Sequence, residues 1–84
     1  MGNDIKIAEC LDTSWLCCQM PMIRLNEVIK VAWAGEGIEM LATDPATRND
    51  IPSWCVRTGH SLLSSAFDSD SDQYRYLIRK RIGG

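Results

Sequence analysis

No stretch of this sequence approaches the roughly 20 consecutive apolar residues of a membrane-spanning helix. Low-complexity tracts and internal repeats are also missing. There is no Cys-x-x-Cys pair, the knuckle from which zinc sites usually draw their ligands, and His60 is the only histidine. Cys10, Cys17, Cys18, Cys55 and His60 therefore make a poor metal set, and neither a metal nor a cofactor is expected. Basic charge is not in surplus: nine Lys and Arg face eleven Asp and Glu, for a net charge of -2. That balance argues against direct nucleic-acid contact, which usually needs a basic face. Met1 to Lys6 have no apolar core of a signal peptide, so the expected compartment is the cytoplasm, where thiols stay reduced. Cys17 and Cys18 are not expected to bridge each other, because Cα atoms across one trans peptide lie only about 3.8 Å apart.

What remains is an ordinary globular composition, 45% hydrophobic and 24% charged over 84 residues. A chain of this size buries a modest core and is expected to form one domain over residues 1–84, with an ordered core of about 5–81.

Hydrophobic periodicity divides the chain into six elements. Ile5 to Leu11 alternates as a strand, with Glu9 out of phase, and Asp12-Thr13-Ser14 has turn chemistry. From Gln19 to Ala34 the period becomes helical: Met22, Leu25, Ile29 and Ala32 share a face, widened by Val28. Arg24, Glu27 and Lys30 face away, and Glu27 is placed to pair with Lys30. Pro21 suits the first turn, and Gly35 and Gly37 suit the stop. Ile38 to Thr43 is mostly apolar, as in a central strand. After a turn at Asp44-Pro45, Asp50 is expected to cap a second helix that opens with Ile51 and Pro52. Ile51, Trp54, Cys55 and Thr58 form its inner face, and Gly59 ends it. Ser61 to Phe67 and Gln73 to Arg81 then read as a hairpin around the polar loop Asp68 to Asp72. The order β-α-β-α-β-β predicts an α/β (α+β) two-layer sandwich, with a four-stranded mixed sheet and both helices on one face.

The stretch Trp15-Leu16-Cys17-Cys18-Gln19-Met20-Pro21 carries the candidate chemistry. A cysteine at the mouth of a helix meets unpaired backbone N–H groups and the positive end of the macrodipole. Both lower a thiol pKa from its free value of roughly 8.5 towards neutrality. Cys18, placed as N-cap if Gln19 opens the helix, is the candidate nucleophile. Cys17 has the reading of a packing or spare thiol, Cys55 of a core residue and Cys10 of a structural strand residue. His60 reads as a helix-terminal or surface group. Trp15 reads as a docking residue beside the thiol or as a piece of core, with docking preferred. The basic cluster Arg75, Arg79, Lys80 and Arg81 reads either as a solvated edge strand or as a docking surface for an acidic partner or RNA, with a protein partner preferred.

Three blocks resemble the TusA/SirA-like family of small sulfur carriers. They are Leu11-Asp12 with Leu16-x-Cys18-x-x-Pro21, then Ala42-Thr43-Asp44-Pro45-Ala46-Thr47-x-x-Asp50-Ile51-Pro52-x-Trp54-Cys55, and Tyr74-Arg75-Tyr76-Leu77-Ile78-Arg79-Lys80. The resemblance implies the same β-α-β-α-β-β fold. It also implies that Cys18, the catalytic cysteine of the family's Cys-Pro-x-Pro motif, carries sulfur as a persulfide. The donor would be a cysteine desulfurase or a rhodanese, and the acceptor a DsrE-like or other relay sulfurtransferase. The pathway would be tRNA 2-thiouridine formation or sulfur oxidation. The implied activity is that of a sulfurtransferase-like carrier rather than a stand-alone enzyme. Gln19 stands where the family has its first proline, and Trp15 where it usually has glycine. The alternative reading is a non-catalytic interaction or regulatory module on the same scaffold.

Overall fold

The computed structural model describes residues 7–14 and 20–82. Six elements follow in the expected order: β1 (Ile7–Thr13), α1 (Met20–Val31), β2 (Gly37–Ala42), α2 (Thr47–Thr58), β3 (Ser61–Asp68) and β4 (Gln73–Arg79). The strands form one mixed sheet in the order β1-β2-β4-β3. β1 runs parallel to β2, while β4 lies antiparallel to both β2 and β3. α1 and α2 cover one face, giving the two-layer α+β sandwich.

Strand alternation decides which side chains meet the helices, because successive residues point to opposite faces. Ile38, Met40 and Ala42 of β2 and Tyr76 and Ile78 of β4 are buried against Leu25 and Ile29 of α1 and Ile51, Trp54 and Cys55 of α2. Leu11, Met22, Val28, Leu62 and Tyr74 pack around this cluster. The other face carries Cys10, whose thiol donates to Glu39 Oε1 at 3.3 Å across the β1–β2 pair.

Several boundaries differ from the sequence reading. A register shift between Ile7 and Glu9 breaks the β1 alternation. Ile7 is exposed, while Leu11 and Thr13 point inward. Asp12 and Thr13 belong to the strand. The turn begins at Ser14, whose N–H donates to Asp12 Oδ1 at 2.9 Å. α1 ends at Val31 rather than Ala34, and Gly37 starts β2 instead of stopping the helix. Gly35 supplies the needed left-handed turn (φ 85°). α2 begins at Thr47, so Asp50 lies within its first turn and Pro52 is interior. The turn at Asp44 explains the earlier start. Asp44 Oδ1 accepts from Ala46 N–H at 3.0 Å, and its carbonyl accepts from Thr47 Oγ1 at 2.7 Å. This seeds the helix before Asp50 is reached. Gly59 caps the end as expected (φ 84°), donating to the Cys55 carbonyl at 2.9 Å. Glu27 pairs with Arg24 at 3.6 Å, towards the helix N-terminus rather than towards Lys30.

β4 is an interior strand, which corrects the edge-strand reading of its basic residues. The edges are β1 and β3. β3 is largely exposed, rich in serine, and irregular between Leu62 and Ser64, features that discourage edge-to-edge pairing.

Candidate functional site

Cys18, together with Trp15, Cys17 and Gln19, lies outside the described residues; the structure describes the frame on either side. That frame stands at one end of the sheet, where Thr13 is in register with Ala42, Ala42 with Tyr74, and Tyr74 with Phe67. Buried Thr13 donates its hydroxyl to the Leu41 carbonyl at 2.6 Å, anchoring the last turn of strand before the segment. Ser14 Oγ accepts from Gln73 Nε2 at 2.8 Å, tying the exit of β1 to the start of β4. Asp12, by accepting from Ser14, holds its carboxyl below the usual carboxylate range.

On the far side of the segment, α1 starts at Met20 with Pro21 buried in its first turn. Proline is tolerated there because the first N–H groups have no intrahelical acceptor. No acidic residue occupies that turn. The positive end of a 12-residue helix is thus uncompensated by a carboxylate among its own described residues. The helix is locked in azimuth by Asn26. Its Nδ2 donates to the Met22 carbonyl at 3.0 Å, and its Oδ1 accepts from Trp54 Nε1 at 3.0 Å. Beneath the same end, Thr47 Oγ1 and Tyr76 Oη meet at 2.8 Å. Because the threonine proton is committed to the Asp44 carbonyl, Tyr76 donates in this buried pair.

The two described thiols are both poor nucleophiles. Cys10 is exposed, but its hydrogen bond to Glu39 and the nearby carboxylate charges push its pKa up. Cys55 is buried in the core, as expected, and burial pushes its thiol up as well. The thiolate is the reactive form, so both shifts reduce reactivity at neutral pH.

His60 belongs to the opposite end of the sheet from Ser14 and Met20, the described residues that flank residues 15–19. Its Nδ1 accepts from the Arg81 backbone N–H at 3.0 Å, and its ring lies 5.0 Å from that of Trp54. Burial, reinforced by Arg81 and Lys80, holds its pKa below the ordinary 6.5. Lys80 directs its ammonium to the carbonyls at the end of α1, at 2.7 Å from that of Ala32 and 3.5 Å from that of Lys30. A cation is favoured there because the last carbonyls of a helix lack partners and carry the negative end of the dipole. The expected basic cluster is therefore divided. Arg75 projects from the open face, whereas Lys80 and Arg81 join Lys30, Arg57 and His60 around a groove of about 460 Å³ beside Trp54. Among the described residues, no carboxylate lines that groove.

The sequence reading missed the Gln73–Ser14 link, the Asn26–Trp54 bridge and the capping role of Lys80. Each joins residues far apart in sequence, and no local pattern announces them. Among the described residues, no three metal-ligating side chains come together, and no helix is long and apolar enough to cross a membrane.

Comparison with known proteins bears directly on this frame. A family model described as sulfurtransferase TusA matches residues 9–80. The sulfur carrier protein TusA of Pseudomonas entomophila (strain L48) is 39% identical over 71 residues, covering 84% of this chain and 86% of that protein. The protein of the same description from Pseudomonas putida (strain GB-1) is 38% identical over the same shares. The crystal structure of the SirA-like protein from Desulfitobacterium hafniense superposes with a TM-score of 0.75 at 15% identity, over 87% of this chain and 97% of that one, a likeness of fold. With the matched region running from β1 to the residue after β4, the chain belongs to the TusA family of sulfur carriers.

Proposed function

We propose that the chain carries sulfane sulfur as a persulfide on Cys18. The observation that carries this reading is the family match across residues 9–80, which includes the segment holding Cys18. The chemistry of the frame supports it. The thiols of Cys10 and Cys55 are held protonated, leaving the Cys17–Cys18 pair as the thiols to consider. Cys18 is the closer of the two in sequence to α1, whose first turn carries no competing carboxylate among the described residues.

In the forward step, the Cys18 thiolate attacks the terminal sulfur of a donor persulfide. A new S–S bond forms on Cys18 as the donor S–S bond breaks. The donor cysteine leaves as its thiolate, and no net oxidation occurs. In the second step, a thiolate of the acceptor protein attacks the outer sulfur and restores the Cys18 thiol. A cysteine desulfurase or rhodanese is the proposed donor, and a DsrE-like or other relay sulfurtransferase the proposed acceptor. The cargo would serve tRNA 2-thiouridine formation or sulfur oxidation in the cytoplasm. The groove lined by Lys30, Arg57, Lys80 and Arg81 fits an acidic surface on such a partner. Docking there should weaken as salt rises, because exposed charges are screened within about 10 Å at 0.1 M ionic strength.

The test is intact mass after incubation with a cysteine desulfurase and cysteine. Wild type should gain one sulfur atom, and Cys18→Ser should gain none. A gain that survives Cys18→Ser, or no gain in wild type, overturns the assignment. Gln19, in place of the first motif proline, favours a second reading, a binding module without carrier activity. Alkylation kinetics separate the two. A Cys18 that reacts no faster than a free cysteine at neutral pH supports the module.

A further inference from the structure

The end of the molecule away from Ser14 and Met20 presents a second groove, opposite in character to the basic one. It is bounded by Ile7 and Glu9 of edge strand β1, by Glu27, Val28 and Val31 of α1, and by Trp33 and Glu36 of the following loop, and encloses about 530 Å³. Three of its apolar members are exposed, Val31 at 81%, Trp33 at 78% and Ile7 at 42%, while Val28 packs against the core. Isolated exposed hydrophobics need no explanation, but a contiguous group that includes a tryptophan does.

The backbone of the loop that carries Trp33 is held in place. The Trp33 backbone N–H donates to Glu36 Oε1 at 2.9 Å, and its carbonyl accepts from Glu36 N–H at 3.0 Å. Lys80 clasps the same loop by main-chain bonds, accepting from Gly35 N–H at 3.0 Å and donating to the Glu36 carbonyl at 2.8 Å. The Lys80 ammonium adds the contact to Ala32 described above. A tryptophan on a loop tied this firmly loses little backbone freedom when it is covered. Aromatic side chains presented on an ordered backbone are common anchors of interfaces.

Charge selects the occupant. Glu9 and Glu27 line the groove beside Glu36, which is already engaged with Trp33 N–H, and among the described residues no cation lines it. Arg24 reaches Glu27 at 3.6 Å from outside, in an exposed pair of the sort that contributes little. We propose that this groove docks an extended segment of another protein in which aliphatic side chains alternate with Lys or Arg. The aliphatic groups would cover Val31 and Trp33, and the cations would meet Glu9 and Glu27. Because the groove is at the end remote from Ser14 and Met20, such a partner would hold the protein without covering the frame of residues 15–19. The inference is independent of the Cys18 reading.

The test is an NMR titration of the full chain with a synthetic peptide of leucines flanked by arginines, against the same peptide with glutamates in place of arginine. The arginine peptide should give saturable shifts at Ile7, Val28, Val31 and the Trp33 indole, and they should weaken with added salt. Trp33→Ala should lower its affinity about tenfold, the typical loss at an aromatic anchor. Glu27→Lys should weaken it as well. Both side chains are exposed, and unchanged circular dichroism would confirm that the fold is kept. Equal binding of the two peptides, shifts elsewhere, or no binding would overturn the proposal. Changes at these same residues on simple dilution would assign the groove to a second copy of the chain and overturn it too.

Discussion

The two ends of the sheet are built differently. At the end that frames residues 15–19, described elements are joined through side chains: Gln73 to Ser14, Thr13 to the Leu41 carbonyl, Thr47 to Tyr76. At the other end the main chain itself is cross-linked. Gly35 N–H donates to the Lys80 carbonyl and Lys80 N–H to the Glu36 carbonyl, and beside them the Arg81 N–H closes onto the His60 imidazole. Side-chain links can be altered one at a time without cutting a ladder. Main-chain links hold whatever side chains evolution places there. The first arrangement suits a working segment whose chemistry must be tuned, the second a platform that must keep its shape.

Substitutions can break this contrast, and the largest effect should come from the core that both ends share. Leu25→Ala deletes a fully buried side chain and should cost about 2–5 kcal/mol in denaturant unfolding. A loss under 1 kcal/mol would mean that α1 is not the keystone between layers. Asn26→Ala leaves the mostly buried Trp54 indole N–H without its acceptor and should cost about 1–3 kcal/mol. Its Trp54 signals should shift, whereas those of Trp33 should not. Lys80→Met keeps the aliphatic stem but removes the cation from the end of α1, for a loss of about 1 kcal/mol. Amide exchange should rise at the last turn of α1 and stay level at its first.

Gln73→Ala should change stability least, by about 0.5–1.5 kcal/mol, because it removes one partly buried neutral hydrogen bond. It should nevertheless alter the alkylation rate of Cys18 more than Lys80→Met does. The reverse order would erase the distinction between the two ends. The pH response sharpens the same comparison. His60 has its pKa lowered on folding, so the unfolded chain takes up the proton first. Its contribution to stability is full above the ordinary value of 6.5 and is lost as pH falls through the folded value. Protonation also ends acceptance from Arg81 N–H, so the Arg81 amide should report the transition. An imidazole titration with its midpoint above 6.5 would contradict the environment described here.

The element order, the inner faces of both helices and the hairpin were legible because each rests on a period or a turn residue within a short window. Leu25, Ile29, Ile51, Trp54 and Cys55 were all placed correctly by helical spacing. The errors fell where a non-periodic contact decides. Asp44 starts α2 before the capping residue that spacing suggested, and Lys80 helps terminate α1 from the far end of the chain. The candidate cysteine was legible through its motif. The reasons to set aside Cys10 and Cys55 were only partly so, because the Glu39 partner of Cys10 lies on a neighbouring strand.

Local patterns and the family motif, then, determined by themselves the layers, their order and the choice of Cys18 as the residue to test. The tertiary structure alone decided that β4 is interior, that the terminal basic residues divide between a helix cap and a groove, and that Trp33 stands exposed among carboxylates. The physical reason is one of range. Periodicity and capping act over a few residues, whereas strand order, charge grouping and helix-end satisfaction depend on which distant segments the buried core brings together.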